Sequence, residues 1–529
     1  MLPFDWTFPY PSQKMPLLAA NAVSTSQPLA AQAGLRMLYQ GGNAIDSAIA
    51  SAIALTVVEP VMNGIGGDMF ALVWHEGQLY GLNSSGRAPS SWTPEHFAGR
   101  ERMPSVGWDT VTVPGQVAGW KALSARFGKL PFARLFEPAI EYAEHGFLVS
   151  PQIARQWAAQ VPVLAEQPGF AQAFLRDGRA PQAGERWRFP EQAATLQRIA
   201  ESDGESFYQG ELAERIVAFA KKTGGAISAD DLAQHRYDWV TPLAQNFRGY
   251  TLHEIPPNGQ GIAALIGLGI LDRFDLEGMG RDSADFCHVS VEAMKLAFAD
   301  LHAHVADPVS MQHSPAAFLD PAYLDERAAL IDMKRASTPG AGMPKTGGTV
   351  YLAAADAAGS MVSFIQSNYR GFGSGVVVPG TGIALHNRGE GFNLTPGHAN
   401  CVGPRKQPMH TIIPGFVTRQ GAPVMAFGVM GGSMQAQGHV QMMARLAAFG
   451  QNPQAMSDAP RFRVEKGPVV NVEAHMPQDV VATLRAMGHR IEVAPSDSLE
   501  FGSAQLIYKT EHGYIAASDS RRDGQAVGF

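Results

Sequence analysis

Lys345 to Gly375 reads KTGGTVYLAAADAAGSMVSFIQSNYRGFGSG. It holds a Gly-Gly-Thr step, a strand-like run, a small-residue turn, a second strand-like run and a Gly/Ser-rich loop. The segment 333–347, MKRASTPGAGMPKTG, leads into it with the composition of a linker: Gly, Pro, Ser, Thr and Lys, and little that can enter a core. Thr349 stands where linker becomes strand, directly after Gly348. Thr is a favoured strand residue, and that is the plain reading of it. The functional reading is a cut between Gly348 and Thr349. Thr349 then becomes a new N-terminus whose hydroxyl is a nucleophile and whose own α-amine, with a pKa of about 8, is the base. The second run brings Ser367 alongside, and SNYRGFGSG borders the site.

Further along, FGVMGGSMQAQGHVQMM reads as strand, Gly-Gly turn and helix. Consecutive amides at Gly431 and Gly432 suit an oxyanion hole; the plain alternative is an ordinary strand-to-helix turn. Upstream of the linker the chain is richer in helix. Apolar spacing predicts helices over 28–39 and 44–55, the first ended by Gly41-Gly42-Asn43 and the second apolar nearly all round. The glycines at 64, 66 and 67 precede a strand rather than open a helix, which excludes a dinucleotide fingerprint. FALVWHEGQLYGLN is a hairpin with Glu76-Gly77 at its tip. Residues 150–250 are mostly helical by periodicity. YTLHEI is a strand, PPNGQGIAALIGLGIL a turn and buried helix, and FCHVSVEAMKLAFADLHAHVADP a long helix. His288 and Glu292 on that helix have a metal-ligand spacing, but no third ligand lies nearby in the sequence, so no metal is expected. After Thr349 the runs TVYLAAAD, MVSFIQS, GIALHN, TIIPGFV, PVMAFGV, VVNVE, RIEVAP, SAQLIYK and YIAASD read as strands, with one helix, HVQMMARLAAFG. There is no internal repeat.

Composition bounds the rest. The 529 residues are 45% hydrophobic and carry a net charge of −7, with no basic block, which argues against nucleic acid as a partner. Two cysteines, Cys287 and Cys401, exclude a disulfide scaffold or zinc knuckle. The first 16 residues read as an extended arm, with no secretory pattern. No apolar run approaches the length of a membrane span, so the expectation is a cytoplasmic protein without a membrane partner.

Taken together, PLAAQAGLRMLYQGGNAIDSAIASAIALTVVEPVMNGIGGDMFALV, VTVPGQVAGW, PPNGQGIAALIGLGIL, HVSVEAMKLAFAD, GGTVYLAAADAAGSMVSFIQSNYRGFGSG, MGGSMQ, DAPRF and SDSRRDGQAVG resemble the γ-glutamyltransferase family of N-terminal-nucleophile hydrolases over nearly the whole chain. The resemblance implies an α/β fold, a four-layer αββα sandwich made as a proenzyme. Autocleavage between Gly348 and Thr349 gives a large chain, 1–348, and a small chain, 349–529, which remain associated; a higher oligomer is compatible with this. It implies Thr349 as nucleophile, Ser367 as its hydroxyl partner, and Gly431 and Gly432 as oxyanion donors. No cofactor or metal is required. The implied substrate is a small-molecule γ-glutamyl or other acyl amide, with the acyl group passing to water or to an amine.

The substrate positions depart from the family pattern. The Arg that holds the glutamyl carboxylate matches Ser85, with Arg87 two residues on. The Asp that holds the amine matches Gly391, beside Glu390. A pair of serines is replaced by His410 and Thr411, and an Asn by Tyr369. These changes point toward the acylase branch of the family, with Arg87, Tyr369 and His410 offered to a dicarboxylic acyl group. Three functions follow as expectations: a γ-glutamyl hydrolase or transferase acting on compounds such as glutathione, a glutaryl- or cephalosporin-type acylase of the same mechanism, and a homologue that binds a small molecule without maturing.

Overall fold

The computed structural model describes residues 13–337, 348–465 and 468–529. The expected extended arm and the linker therefore lie largely outside the described residues.

Two seven-stranded antiparallel sheets lie face to face. The first runs, in spatial order, 525–528, 22–25, 348–355, 361–369, 68–75, 78–84 and 238–240. The second runs 17–19, 514–518, 503–509, 422–430, 415–419, 250–254 and 243–247. Thr349 thus sits on an interior strand, paired on one side with 22–25 and on the other with 361–369. Phe70, Leu72, Tyr351, Ile365, Phe416 and Ala426 fill the space between the sheets and are fully buried. The sheets pack tightly at Gly428, where a Cβ would lie 2.4 Å from the Tyr351 ring. Tyr351 meets its buried hydroxyl's need through Ser363 Oγ, 2.7 Å away.

Helices cover both outer faces, which completes four layers. Pro28–Tyr39, Ala44–Val58 and Gln116–Phe127 cover the first sheet; Gly261–Leu271 and Met434–Ala447 cover the second, and Ala284–His304 packs on Gly261–Leu271. Ala44–Val58 is buried at every residue, as its all-round apolar sequence requires. Asn43 does more than end the preceding helix: with Asp46 it forms the capping box of this one. At the expected hairpin tip, Glu76 and Gly77 both have positive φ, the two-residue turn that matches strand twist.

The chain after Thr349 holds more helix than expected. Gln478–Ala486 buries Val480, Val481 and Leu484, and Pro453–Asp458 forms a short turn of helix. Both are too short for a strong periodic signal. TIIPGFV is strand only from Gly415, because the amides of Ile412 and Ile413 donate to the His410 and Gln435 side chains rather than to a ladder. Likewise only Ile383–Ala384 of GIALHN is strand. Among the described residues no helix is long and apolar enough to cross a membrane.

Candidate active site

Thr349 and Ser367 are 18 residues apart in sequence, and the antiparallel hairpin brings them together: Thr349 Oγ1 lies 3.2 Å from Ser367 Oγ. Both are buried. Ser367 Oγ also accepts the Tyr369 amide at 2.7 Å, which orients it. Tyr369 has φ +75, an uncommon backbone state for a non-glycine residue, and stands opposite Gly348 in the ladder.

A residue not singled out from the sequence completes the contacts of the hydroxyl. Gln435 Nε2 donates to Thr349 Oγ1 at 3.4 Å, and Gln435 Oε1 accepts the Ile413 amide at 3.0 Å. The backbone donor fixes which end of the amide faces the threonine. Gln435→Leu removes both bonds at little change in volume. It should lower kcat on an amide substrate by about tenfold, the worth of one such bond, with KM little changed. A steady-state comparison checks this.

Gly431 and Gly432 form the turn between strand Ala422–Met430 and helix Met434–Ala447, with φ +127 and +62. Gln260 Nε2 donates to the Gly432 carbonyl at 2.8 Å and to the Thr411 carbonyl, tying the turn to the 410–411 segment. Neither glycine amide donates a hydrogen bond among the described residues. Both stand where the first turn of a helix favours negative charge.

Behind this pair lies a buried charge cluster centred on Asp68, which is opposite Ser367 in the ladder. Asp68 Oδ1 accepts the Gly86 and Gly115 amides, each at 3.2 Å. His410 Nε2 donates to Oδ2 at 3.1 Å, while its Nδ1 accepts the Ile412 amide, so the hydrogen bonds select one neutral tautomer. Burial, assisted by nearby Arg388, pushes His410 down to about 3. Burial opposes the charge of Asp68, but His386, 3.3 Å away, and His410 hold its carboxyl well below the ordinary range.

Arg388 is the second residue that sequence reading passed over. It is fully buried, 3.9 Å from Asp68 and 4.4 Å from the centre of the Tyr369 ring, and its Nη1 donates to Thr411 Oγ1 at 2.9 Å. Its Nε and Nη2 have no hydrogen-bond partner among the described residues. Burial lowers its pKa to about 10, so it remains charged at neutral pH. The signal was an arginine inside the apolar run GIALHNRG.

The other expected substrate residues are divided. Tyr369, His410 and Thr411 gather around Arg388. Glu390 forms a two-bond ion pair with Arg370. Ser85 is buried in a network with Asn83, Asn258 and Gln407. Arg87 is partly exposed and pairs with Asp307 at 3.3 Å and Asp238 at 3.7 Å. It lines a separate cavity with His235, Arg236 and Arg405.

Folding also supplies His288 and Glu292 with a third neighbour, His489, which the local sequence had not offered. Lys295 bonds to two members of that group. Its Nζ lies 2.7 Å from Glu292 Oε1 and donates to His489 Nδ1 at 3.4 Å and to the Ser337 carbonyl at 2.9 Å. His489 then bonds to His288 Nδ1, and His288 Nε2 donates to the Asp332 carbonyl. Lys295 thus holds Ser337 and His288 holds Asp332, which ties residues 332–337 to the helix.

Residues 30–529 match the Gamma-glutamyltranspeptidase family. The chain is 37% identical over 512 residues to the glutathione hydrolase-like YwrD proenzyme of Bacillus subtilis, covering 95% of this chain and 97% of the relative. It is 38% identical over 516 residues to the oxamate amidohydrolase proenzyme of Klebsiella pneumoniae, with 95% and 97% covered. The crystal structure of cephalosporin acylase from Bacillus halodurans superposes with a TM-score of 0.95 at 48% identity, covering 100% of this chain and 99% of that one. The fold, the matched length and these relatives agree: the chain belongs to the γ-glutamyltranspeptidase family of N-terminal-nucleophile hydrolases.

Proposed function

We propose that this chain is a self-processing amidase whose nucleophile is Thr349. The observation that carries this reading is the buried contact between Thr349 Oγ1 and Ser367 Oγ, beside a glycine turn with two undonated amides. In maturation Thr349 Oγ attacks the Gly348 carbonyl, the acyl group moves from nitrogen to oxygen, and water resolves the ester. The freed α-amine then serves as base. In turnover it takes the hydroxyl proton as Oγ attacks the substrate amide, and delivers it to the leaving nitrogen. The Gly431 and Gly432 amides receive the oxyanion. Water releases the acyl group.

The large chain, 1–348, and small chain, 349–529, stay together in this account. The first strand of the small chain is paired with 22–25 of the large chain, and 361–369 is paired with 68–75. Cutting one peptide bond leaves those ladders intact.

For the acyl group we favour one rich in acceptors and lacking an ammonium, of the glutaryl type that a glutaryl- or cephalosporin-type acylase would take, over the γ-glutamyl group of glutathione. Arg388 supports this. Its undonated Nε and Nη2 suit a carbonyl or carboxylate, and a guanidinium held next to the site repels an α-ammonium. The relatives named as an acylase and an oxamate amidohydrolase fit the same reading; the glutathione hydrolase-like relative keeps the γ-glutamyl alternative in view. Turnover of glutaryl anilide and γ-glutamyl anilide by the matured enzyme separates them. The expected result is at least a tenfold higher kcat/KM for the glutaryl compound. Equal rates, or a γ-glutamyl preference, would overturn the acyl assignment.

A further inference from the structure

Two consecutive glycines are a pliable place to hold oxyanion donors. Glycine takes up positive and negative φ with similar ease, so the torsions of Gly431 and Gly432, φ +127 and +62, do not by themselves fix where the two amides point. Donors that stabilise a transition state have to be aimed before the reaction starts, to within about 0.5 Å. The aim of this turn therefore depends on what grips it from outside.

Backbone packs on it at one point: a Cβ on Gly431 would lie 3.1 Å from Gly502 Cα, and Met430 is paired with Ser503. Gln260 grips it at another. Gln260 is 1% exposed and stands at the N-terminus of helix Gly261–Leu271. Its own backbone is fixed. The Gln260 amide donates to the His410 carbonyl and the His410 amide to the Asn258 carbonyl, both at 2.8 Å, and Asn258 Nδ2 donates to the Pro408 carbonyl at 2.8 Å. From that base Gln260 Nε2 donates to the Gly432 carbonyl at 2.8 Å and to the Thr411 carbonyl. A side-chain amide nitrogen carries two hydrogens, and each has a carbonyl here. The Gly432 carbonyl also accepts the Gln435 amide at 3.2 Å, so Gln260 and the helix that carries Gln435 hold the same peptide. One turn along that helix His439 pairs with Glu254, 2.5 Å away, at the end of the strand that leads to Gln260.

We infer that Gln260 is a positioning residue for the oxyanion turn, fixing the Gly431 and Gly432 amides relative to the His410–Thr411 segment. The inference rests on Thr349 as nucleophile and on those two amides as the oxyanion donors. When Thr349 Oγ bonds to the acyl carbon, the hydroxyl proton passes to the α-amine and the carbonyl electron pair moves onto the oxygen that the amides receive. Gln260 makes and breaks no bond and moves no proton. Without its two donors the turn and the Thr411 carbonyl are free to shift apart. The loss then falls on the tetrahedral, negatively charged state and spares the planar one.

The test compares two ligands of the matured enzyme: glutarate, planar at both carboxyls, and its analogue with one carboxyl replaced by a boronic acid. With the analogue, Thr349 Oγ bonds to boron and its proton passes to the α-amine. The boron becomes tetrahedral and negatively charged, with one of its oxygens in the oxyanion position. Glutamate and its boronic analogue replace this pair if the γ-glutamyl group is the one turned over. Wild type should bind the boronic acid at least about 100-fold more tightly than the planar acid. Gln260→Met keeps the volume and removes both donors; Gln260→Asn is one methylene shorter and does not span both carbonyls. In each, boronic-acid affinity and kcat should fall about tenfold or more, while planar-acid affinity and KM change less than about twofold. Cutting on a denaturing gel shows that each variant folds and matures. Boronic-acid affinity that neither variant changes overturns the proposal and leaves the nucleophile reading standing. An equal fall for both ligands, or failure of both variants to cut, overturns it in favour of a purely structural role for Gln260. A wild type that never cuts before Thr349, or binds the boronic acid no more tightly than the planar acid, overturns the underlying reading and this proposal with it.

Discussion

Thr349→Ala should leave the 529-residue chain uncut and reduce amide turnover to background, a loss of about 10⁴-fold or more. The size of the effect comes from one atom serving two reactions. Removing Oγ1 abolishes the attack on Gly348 that would expose the α-amine, and it abolishes the attack on substrate. Ser367 Oγ, 3.2 Å away, cannot take over, because it sits inside a strand and has no α-amine of its own. Thr349→Ser keeps the hydroxyl and should still mature, so the pair of variants separates chemistry from folding. Intact-mass analysis over time, with a coupled rate assay, reads both.

Asp68→Ala should cost about 3–5 kcal/mol of stability, the usual penalty for stranding a buried charge. Asp68 accepts two backbone amides and His410, and it lies against His386 and Arg388. Without it the fully buried Arg388 faces no counter-charge within the cluster, and the His410 donor is left without its acceptor. Because Ser367 stands opposite Asp68 in the ladder, the same change should disturb the hydroxyl pair and slow maturation. The pH dependence follows from the lowered pKa of Asp68 in the folded chain. A depressed carboxyl contributes stability above its unfolded value of about 4, and that contribution is lost as pH falls below it. Urea unfolding at pH 7 and in the acid range measures both. Asp68→Ala should be destabilised at pH 7 and should show a shallower acid decline than wild type.

What the sequence could reveal about this site depended on distance along the chain. Helix Pro28–Tyr39 was legible to the residue, because its apolar spacing and its glycine stop are local. The Thr349–Ser367 contact was also legible, because a short turn joins the two strands and fixes their register. The remaining contacts are long-range. Gln435 reaches Thr349 across 86 residues, and Gln260 reaches Gly432 across 172. Lys295 closes the His288–Glu292 group only when His489, 194 residues later, folds against it. Arg388 and Glu390 are near neighbours in sequence, yet Glu390 turns to Arg370 while Arg388 turns to Thr411. Nothing in the run NRGE separates those two outcomes. TIIPGFV misled because two of its amides are claimed by side chains, one from His410 two residues back and one from Gln435 on the following helix.

Every step proposed for this enzyme depends on Thr349 becoming an N-terminus and doing chemistry there. N-terminal sequencing and intact mass of the purified, active wild-type protein test it most directly. Two associated chains are expected, the smaller beginning at Thr349. Full amide turnover by a single uncut chain, or a small chain that begins at any other residue, would contradict it.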